Sequence, residues 1–176
     1  MKVYIETERL IIRDPIIDDF EAVWAMRNDE DVTTFTGGVT KRSKEQVYER
    51  HVKECANHSN EPREYAVVLK DTGDYIGYCG FQYCSVLKGI EILYGYAKDH
   101  WGKGYALEAA KAVMDFGLNE LKLDKIVAAV NYDNVASDQI LIKIGMTYQG
   151  DIEWPDQGMV KSYVKYRIVP LVSSSS

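Results

Sequence analysis

Apolar positions along the chain change period several times, and those changes lay out its elements. Arg9-Leu-Ile-Ile-Arg13 is a short apolar run between charges and predicts an opening strand. Phe20, Val23, Trp24 and Arg27 then recur at helical spacing behind Asp18, which predicts a first helix capped by that aspartate. Gly37-Gly38 interrupts the pattern. Ser43, with Gln46 three residues on, has the form of a capping box and opens a second helix to about Ala56. Strand-like composition returns in three segments, 65–70, 75–83 and 90–97, separated by turns at 71–74 and at Lys88-Gly89. In the third of these, Tyr94 and Tyr96 share one face and Glu91 takes the other.

A glycine-rich stretch over 101–104 then leads into a helix reaching about Glu120. Ala106, Ala110, Val113 and Gly117 form its narrow apolar stripe, widened by Leu107, Met114 and Leu121, with Glu108, Lys111 and Asp115 on the outer side. Small residues on the stripe predict close packing against a sheet. A strand over 125–130 follows. Asn134 or Ser137 begins a last helix that ends at Gly145, and 147–152 and 162–169 close the chain as strands. The order predicts an α/β protein of the α+β type, with a mixed, mostly antiparallel sheet of about seven strands and flanking helices. A doubly wound nucleotide-binding fold is excluded by that order. One domain is expected over 1–172, with 173–176 a disordered serine tail.

Composition narrows the function classes. The 176 residues carry a net charge of −6, which argues against non-specific nucleic-acid binding and is compatible with cationic substrates such as amines. No apolar stretch approaches the roughly 20 residues that cross a bilayer, and no signal peptide is visible, so a cytoplasmic protein without membrane contact is expected. Cys55, Cys79 and Cys84 form no CxxC pair and read as free thiols in a reducing compartment. His51, His58 and His100 are the bases a catalytic cysteine could use, and none sits in a nucleophile motif. No metal site is expected.

The chemistry concentrates in Tyr94-Gly-Tyr-Ala-Lys-Asp-His-Trp-Gly-Lys-Gly-Tyr-Ala-Leu-Glu-Ala109. Here a strand runs into a glycine-rich turn that opens a helix. Backbone amides of the turn, together with the helix N-terminus, make an anion site suited to a pyrophosphate. The stretch is neither a Walker A loop nor a GxGxxG fingerprint.

Three segments, in order, resemble the GNAT superfamily of N-acetyltransferases and its RimJ/RimL-like branch. They are Thr7-Glu-Arg-Leu-Ile-Ile-Arg13 with Asp18-Asp19; Glu91-Ile-Leu-Tyr-Gly-Tyr with Trp101-Gly-Lys-Gly-Tyr-Ala and Glu108-Ala109; and Asn134-Val-Ala-Ser137 with Lys143-Ile-Gly-Met146. The resemblance implies a splayed central strand pair that binds acetyl-CoA as co-substrate. Backbone groups of Tyr94 and Tyr96 would pair with the pantetheine arm. Amides of Trp101, Gly102, Lys103, Gly104, Tyr105 and Ala106 would hold the pyrophosphate. The Asn134 side chain would bond the pantetheine, or would serve only as a turn or helix cap. A homodimer is a family expectation.

Two departures stand out. Trp101 begins the phosphate loop where Gln or Arg is usual, as is common in this branch. Leu141 occupies the late-helix position at which many members carry a general-acid tyrosine. The expected reaction is direct attack of a primary amine on the thioester. Ser137 is then the candidate acid or hydrogen-bond donor for the leaving thiolate, and Glu91 the candidate base, with Glu153, His100 or solvent as alternatives. Ser137 could instead only satisfy the helix start, and Glu91 could pair with a neighbouring cation. Tyr132, Tyr148 and Trp154 are candidates to line the amine pocket, and Lys143 could meet a phosphate. The acceptor would be a protein or peptide N-terminal amine, or a small amine such as a polyamine, amino acid or aminoglycoside. A CoA-binding sensor without turnover is a further reading, supported by the absent tyrosine, and a generic nucleotide-binding domain is a fourth.

Overall fold

The computed structural model describes residues 1–57 and 61–169, so His58 and the expected tail at 173–176 lie outside the described residues. Eight strands form one sheet in the order β1-β2-β3-β4-β5-β6-β8-β7. They are β1 (Val3–Glu6), β2 (Leu10–Arg13), β3 (Glu64–Leu69), β4 (Tyr75–Cys84), β5 (Gly89–Tyr96), β6 (Lys125–Asn131), β7 (Thr147–Trp154) and β8 (Gly158–Tyr166). Every neighbouring pair is antiparallel except β5 and β6. The helices are α1 (Phe20–Arg27), α2 (Glu30–Thr33), α3 (Lys44–Ala56), α4 (Tyr105–Asn119) and α5 (Val135–Lys143).

The eighth strand, β1, was not expected. Its four residues carry no repeated alternation, and its formation rests on pairing with β2 rather than on local pattern. The segment 151–161, expected to be a loop, is a hairpin. β7 runs on to Trp154 and β8 starts at Gly158, with Asp156 (φ 62°) and Gly158 (φ 74°) supplying the left-handed turn conformations. The start of α1 also differs. A 3-10 turn over Ile17–Asp19 precedes the helix, and neither Asp18 nor Asp19 caps it. The Asp19 carboxylate is instead taken by Arg13, with both oxygens at 2.7 Å from the guanidinium, and by the Ile16 amide at 2.9 Å. The Ser43–Gln46 capping box is present at α3, and Asn134 caps α5.

α4 lies on one face of the sheet, where Phe81, Ile92, Ile126 and Met114 join the core, and α1 packs against β4 from the other side. Its small-residue stripe explains the close approach. A Cβ added at Gly117 would stand 2.5 Å from the Phe81 ring and 2.8 Å from Ile126 Cδ1. On the opposite face, a register irregularity between β3 and β4 skips Ile76 in the pairing. Alternation is reset there, so Tyr75 and Tyr78 point to the same side. No helix among the described residues is long and apolar enough to cross a membrane.

Overpacking at this contact has a measurable consequence. Gly117→Ala is expected to lower stability by about 1 kcal/mol, the strain of an inserted methyl outweighing the helix-propensity gain. Urea unfolding midpoints of the two proteins check this.

Candidate functional site

β5 and β6 run parallel and pair at a single position, Glu91 opposite Val127. Beyond it they part, and β5 bonds only to β4, through to Tyr96. The opening belongs to a cavity of about 1130 Å³ that extends from α1 and α3 past Glu91, Leu93 and Tyr94 to Asn134 and Ser137 at the start of α5. Such a slot suits an elongated ligand that offers amide groups to an unpaired strand edge.

At the end of β5 the chain turns into α4 through Gly102 (φ 71°) and Gly104 (φ 83°). A Cβ on Gly102 would meet nothing within 4 Å, so backbone conformation, rather than crowding within the chain, calls for glycine here. Two groups expected at the cofactor are bonded within the chain. The Trp101 amide donates to the Lys98 carbonyl at 3.1 Å, and the Trp101 indole Nε1 donates to the Tyr96 carbonyl at 2.7 Å. Trp101 thereby closes the turn onto the strand end. Among the described residues the amides of Gly102, Lys103 and Gly104 make no backbone hydrogen bond, and those of Tyr105 and Ala106 belong to the first turn of α4. With the dipole of this 15-residue helix behind them, these five amides fit a pyrophosphate.

A side-chain brace holds the turn from the other end of the chain. The Glu108 carboxylate accepts from Thr7 Oγ1 at 2.6 Å, the Arg9 amide at 2.9 Å and Arg9 Nε at 2.7 Å. Arg9 Nη1 donates to the Lys103 carbonyl at 2.9 Å, and the guanidinium covers the Tyr105 ring at 4.6 Å. Partial burial pushes the Glu108 carboxyl upward, but these donors outweigh it and hold the pKa below the usual range. Glu108, expected on the solvent side of the helix, is thus the tie between α4 and the turn that joins β1 to β2. The Thr7-Glu-Arg-Leu segment signalled this only as a motif without a stated task.

Glu91 is 8% exposed and lines the cavity. Burial pushes its carboxyl above the usual range, against hydrogen bonds from the Gln82 side chain at 3.2 Å, the Ala129 amide and the Cys84 thiol. No ion pair to Glu91 forms among the described residues. At α5, Asn134 Oδ1 accepts from the Ser137 amide at 3.1 Å, leaving its amide nitrogen without a protein partner among the described residues. Ser137 Oγ lies 2.8 Å from the Tyr94 hydroxyl. Asp138 locks the same turn onto β8, accepting from the Tyr163 hydroxyl at 2.6 Å and from Lys161 Nζ at 2.9 Å. Leu141 is buried in the core.

Other candidates lie elsewhere. Glu153 sits on β7, exposed and outside the cavity lining. Tyr132 and Tyr148 are about half exposed, at 46% and 49%, and lie beside Asp151 rather than in the cavity, whereas Trp154 lines it. His100 lies beside Tyr105 at the phosphate turn, 6.2 Å between rings, away from Glu91. Lys143 is exposed. His51 is buried with Nε2 at 2.8 Å from the Ile16 carbonyl, so that nitrogen carries the proton and cannot serve as a base for Cys55 at 3.6 Å. Burial, then Asp19 and Glu54, push the Cys55 thiol up. All three cysteines are free. Among the described residues no cluster of metal-ligating side chains exists.

The chain belongs to the GNAT acetyltransferases, for residues 9–147 match the acetyltransferase (GNAT) domain family. It is 32% identical over 149 residues to the N-acetyltransferase YoaA of Bacillus subtilis, covering 83% of this chain and 84% of the relative. Its fold is similar to a GNAT-family acetyltransferase from Bacillus anthracis, with TM-score 0.78, 27% identity, and coverage of 93% and 98%. Two more distant structures share the fold. One is the spermidine N-acetyltransferase of Vibrio cholerae bound to CoA and spermine, with TM-score 0.77, 19% identity, and coverage of 92% and 97%. The other is RimL, a ribosomal L7/L12 alpha-N-protein acetyltransferase bound to CoA, with TM-score 0.77, 15% identity, and coverage of 94% and 98%. The protein is accordingly an acyl-CoA-dependent acetyltransferase that uses acetyl-CoA.

The brace yields a prediction. Arg9→Ala removes a charged tie to the phosphate turn and is expected to weaken CoA binding about tenfold, measured by isothermal titration with CoA.

Proposed function

We propose that the protein transfers acetyl to the N-terminal amine of a protein or peptide, as a member of the RimJ/RimL-like branch acting in the cytoplasm. The observation that carries the choice of acceptor is the charge of the cavity. Arg27, Lys41 and Arg42 line it with no ion-pair partner among the described residues, while Arg50 and Arg63 are paired with Glu54 and Asp14. Glu64 and Glu91 are the remaining acids in the lining. Unpaired cations repel a polyamine but tolerate a peptide, whose one ammonium can sit at the carboxylates while its chain passes the arginines. The branch, the location and a homodimeric state draw their support from the sequence resemblance, with RimL as a distant fold neighbour.

Acetyl-CoA supplies the thioester whose carbonyl carbon the amine attacks. Gly102, Lys103, Gly104, Tyr105 and Ala106 hold its pyrophosphate, and the edge of β5 at Tyr94 and at the Tyr96 amide, with the Asn134 amide nitrogen, holds its pantetheine arm, the Tyr96 carbonyl being taken by Trp101. Glu91 takes a proton from the incoming ammonium, directly or through one water. Its raised pKa makes it a stronger base than an ordinary carboxylate. A backbone amide in the slot donates to the carbonyl oxygen as charge develops there. Ser137 donates from its hydroxyl to the departing sulfur. A small-amine acceptor is the second reading, favoured by Glu54 and Glu64 together in the lining and by the fold shared with the spermidine enzyme.

Thiol release from acetyl-CoA, measured against peptides of varied N-terminus, polyamines, amino acids and aminoglycosides, separates the two. Release with peptides supports the first reading, and release with polyamines alone replaces it with the second. Glu91 acts as the ionised carboxylate, so kcat/KM is expected to fall as pH drops through a midpoint above the usual carboxylate range. Glu91→Gln is expected to lower kcat about 100-fold and abolish that limb of the pH profile. An unchanged profile in the variant would remove Glu91 from the base role.

A further inference from the structure

Tyr94 contributes more than its backbone to the slot. By alternation its ring lies on the α4 and α5 face of β5, opposite Glu91, and its hydroxyl spans the parted strands to reach the first turn of α5. There it stands 2.8 Å from Ser137 Oγ and 3.4 Å from the Ser137 carbonyl oxygen. Only the shorter contact has the length of a strong O–H···O bond.

A serine hydroxyl carries one proton and rotates among three staggered positions. The partner on Oγ decides where that proton points. Either hydroxyl could donate across this contact; burial keeps the phenol protonated, and as the stronger acid of the two it is the better donor. With a lone pair of Oγ occupied by Tyr94, the Ser137 proton turns away from the tyrosine, and the cavity lined by both residues is the space open to it. Ser137 cannot drift from this arrangement. Its amide is held by Asn134, and the next residue, Asp138, is held by Tyr163 and Lys161. Leu141, at the position where many family members place a tyrosine, is 2% exposed and brings no hydroxyl to the slot.

We propose that Tyr94 is a positioning residue whose hydroxyl aims the Ser137 proton at the sulfur of the bound coenzyme, so that a strand tyrosine acting through a serine replaces the missing helix tyrosine. The inference rests on the role given to Ser137 above. No proton leaves Tyr94. The serine donates to sulfur while receiving from the phenol, and the pair stabilises the thiolate as the carbon–sulfur bond breaks.

The test needs no acceptor. CoA bound to the enzyme is titrated by the ultraviolet absorbance of its thiolate, with the desulfo-CoA complex subtracted to cancel the three native cysteines. Donors to the thiolate favour the charged form and lower its midpoint. The bound thiol is therefore expected to titrate about one pH unit lower in the wild type than in Tyr94→Phe or Ser137→Ala, and the double variant is expected to shift no further than Ser137→Ala alone. The melting temperature of Tyr94→Phe, which keeps the ring, is expected to stay near wild type and shows that the variant folds. A wild-type midpoint in Tyr94→Phe with a raised one in Ser137→Ala overturns the inference and leaves the serine role standing. Additive shifts in the double variant also overturn it. A wild-type midpoint in Ser137→Ala overturns both.

Discussion

The site depends on two parallel strands that touch once and then separate. A strand edge inside a protein carries amides and carbonyls that must find partners, and leaving them unpaired is costly. This chain meets that constraint locally rather than by closing the sheet. At the far end of the gap the Trp101 indole takes the Tyr96 carbonyl. What lies between is left for the coenzyme. At the near end, the residue proposed as base is also the one at which β5 and β6 pair, the point where pairing stops.

A gap of this kind is useful only if the helices that flank it are held still. α4 brings the anion site, and its N-terminus is fixed by Thr7 and Arg9, about a hundred residues earlier in the chain. α5 brings Asn134 and Ser137, and its first turn is fixed by Asp138 to Tyr163 and Lys161 on β8. In both cases a carboxylate within the first turn of a helix takes two or more donors from a segment distant in the chain, the β1–β2 turn for Glu108 and β8 for Asp138. The carboxylate also sits at the positive end of the helix, so each tie is reinforced by the field of the element it anchors.

This arrangement accounts for what was legible in the sequence and what was not. Local signals were read correctly where they act locally: the Ser43–Gln46 box, the glycine turn at 102–104, the small-residue stripe of α4 and the end of α5 at Gly145, while the sequence leaves the start of α5 open between Asn134 and Ser137 and it falls at Asn134. Long-range choices were hidden. β1 exists only through its partner, and the carboxylate of Asp19, which looks suited to a helix cap, is claimed by Arg13. Glu108 sits at a solvent-facing position of the helical pattern, yet its bonds cross to the turn between β1 and β2. Tyr94 was recognised for its strand position, while its hydroxyl bond to Ser137 depends on how far β5 and β6 part, which no spacing in the sequence encodes.

Acceptor choice shows the same divide between what a chain contains and where it puts it. A net charge of −6 suggests affinity for cations, yet the cavity does not share that sign. Asp19 and Asp14 are consumed by Arg13 and Arg63, and Glu54 by Arg50, before any ligand arrives. The first two pairs are buried and the third is half exposed, and each presents little net charge. The groups left to meet an acceptor are Arg27, Lys41 and Arg42 on one side and Glu64 and Glu91 on the other. Burial, then Glu54, push the Glu64 carboxyl upward, with Arg27 and Arg50 opposing, so its negative charge is itself weakened. An acceptor carrying one ammonium has carboxylates to bind it, but each further cation must be placed against unpaired guanidinium groups. On the proposed reading, selection by the cavity follows the few charges left unpaired on its wall, which differ in sign from the balance of the whole chain.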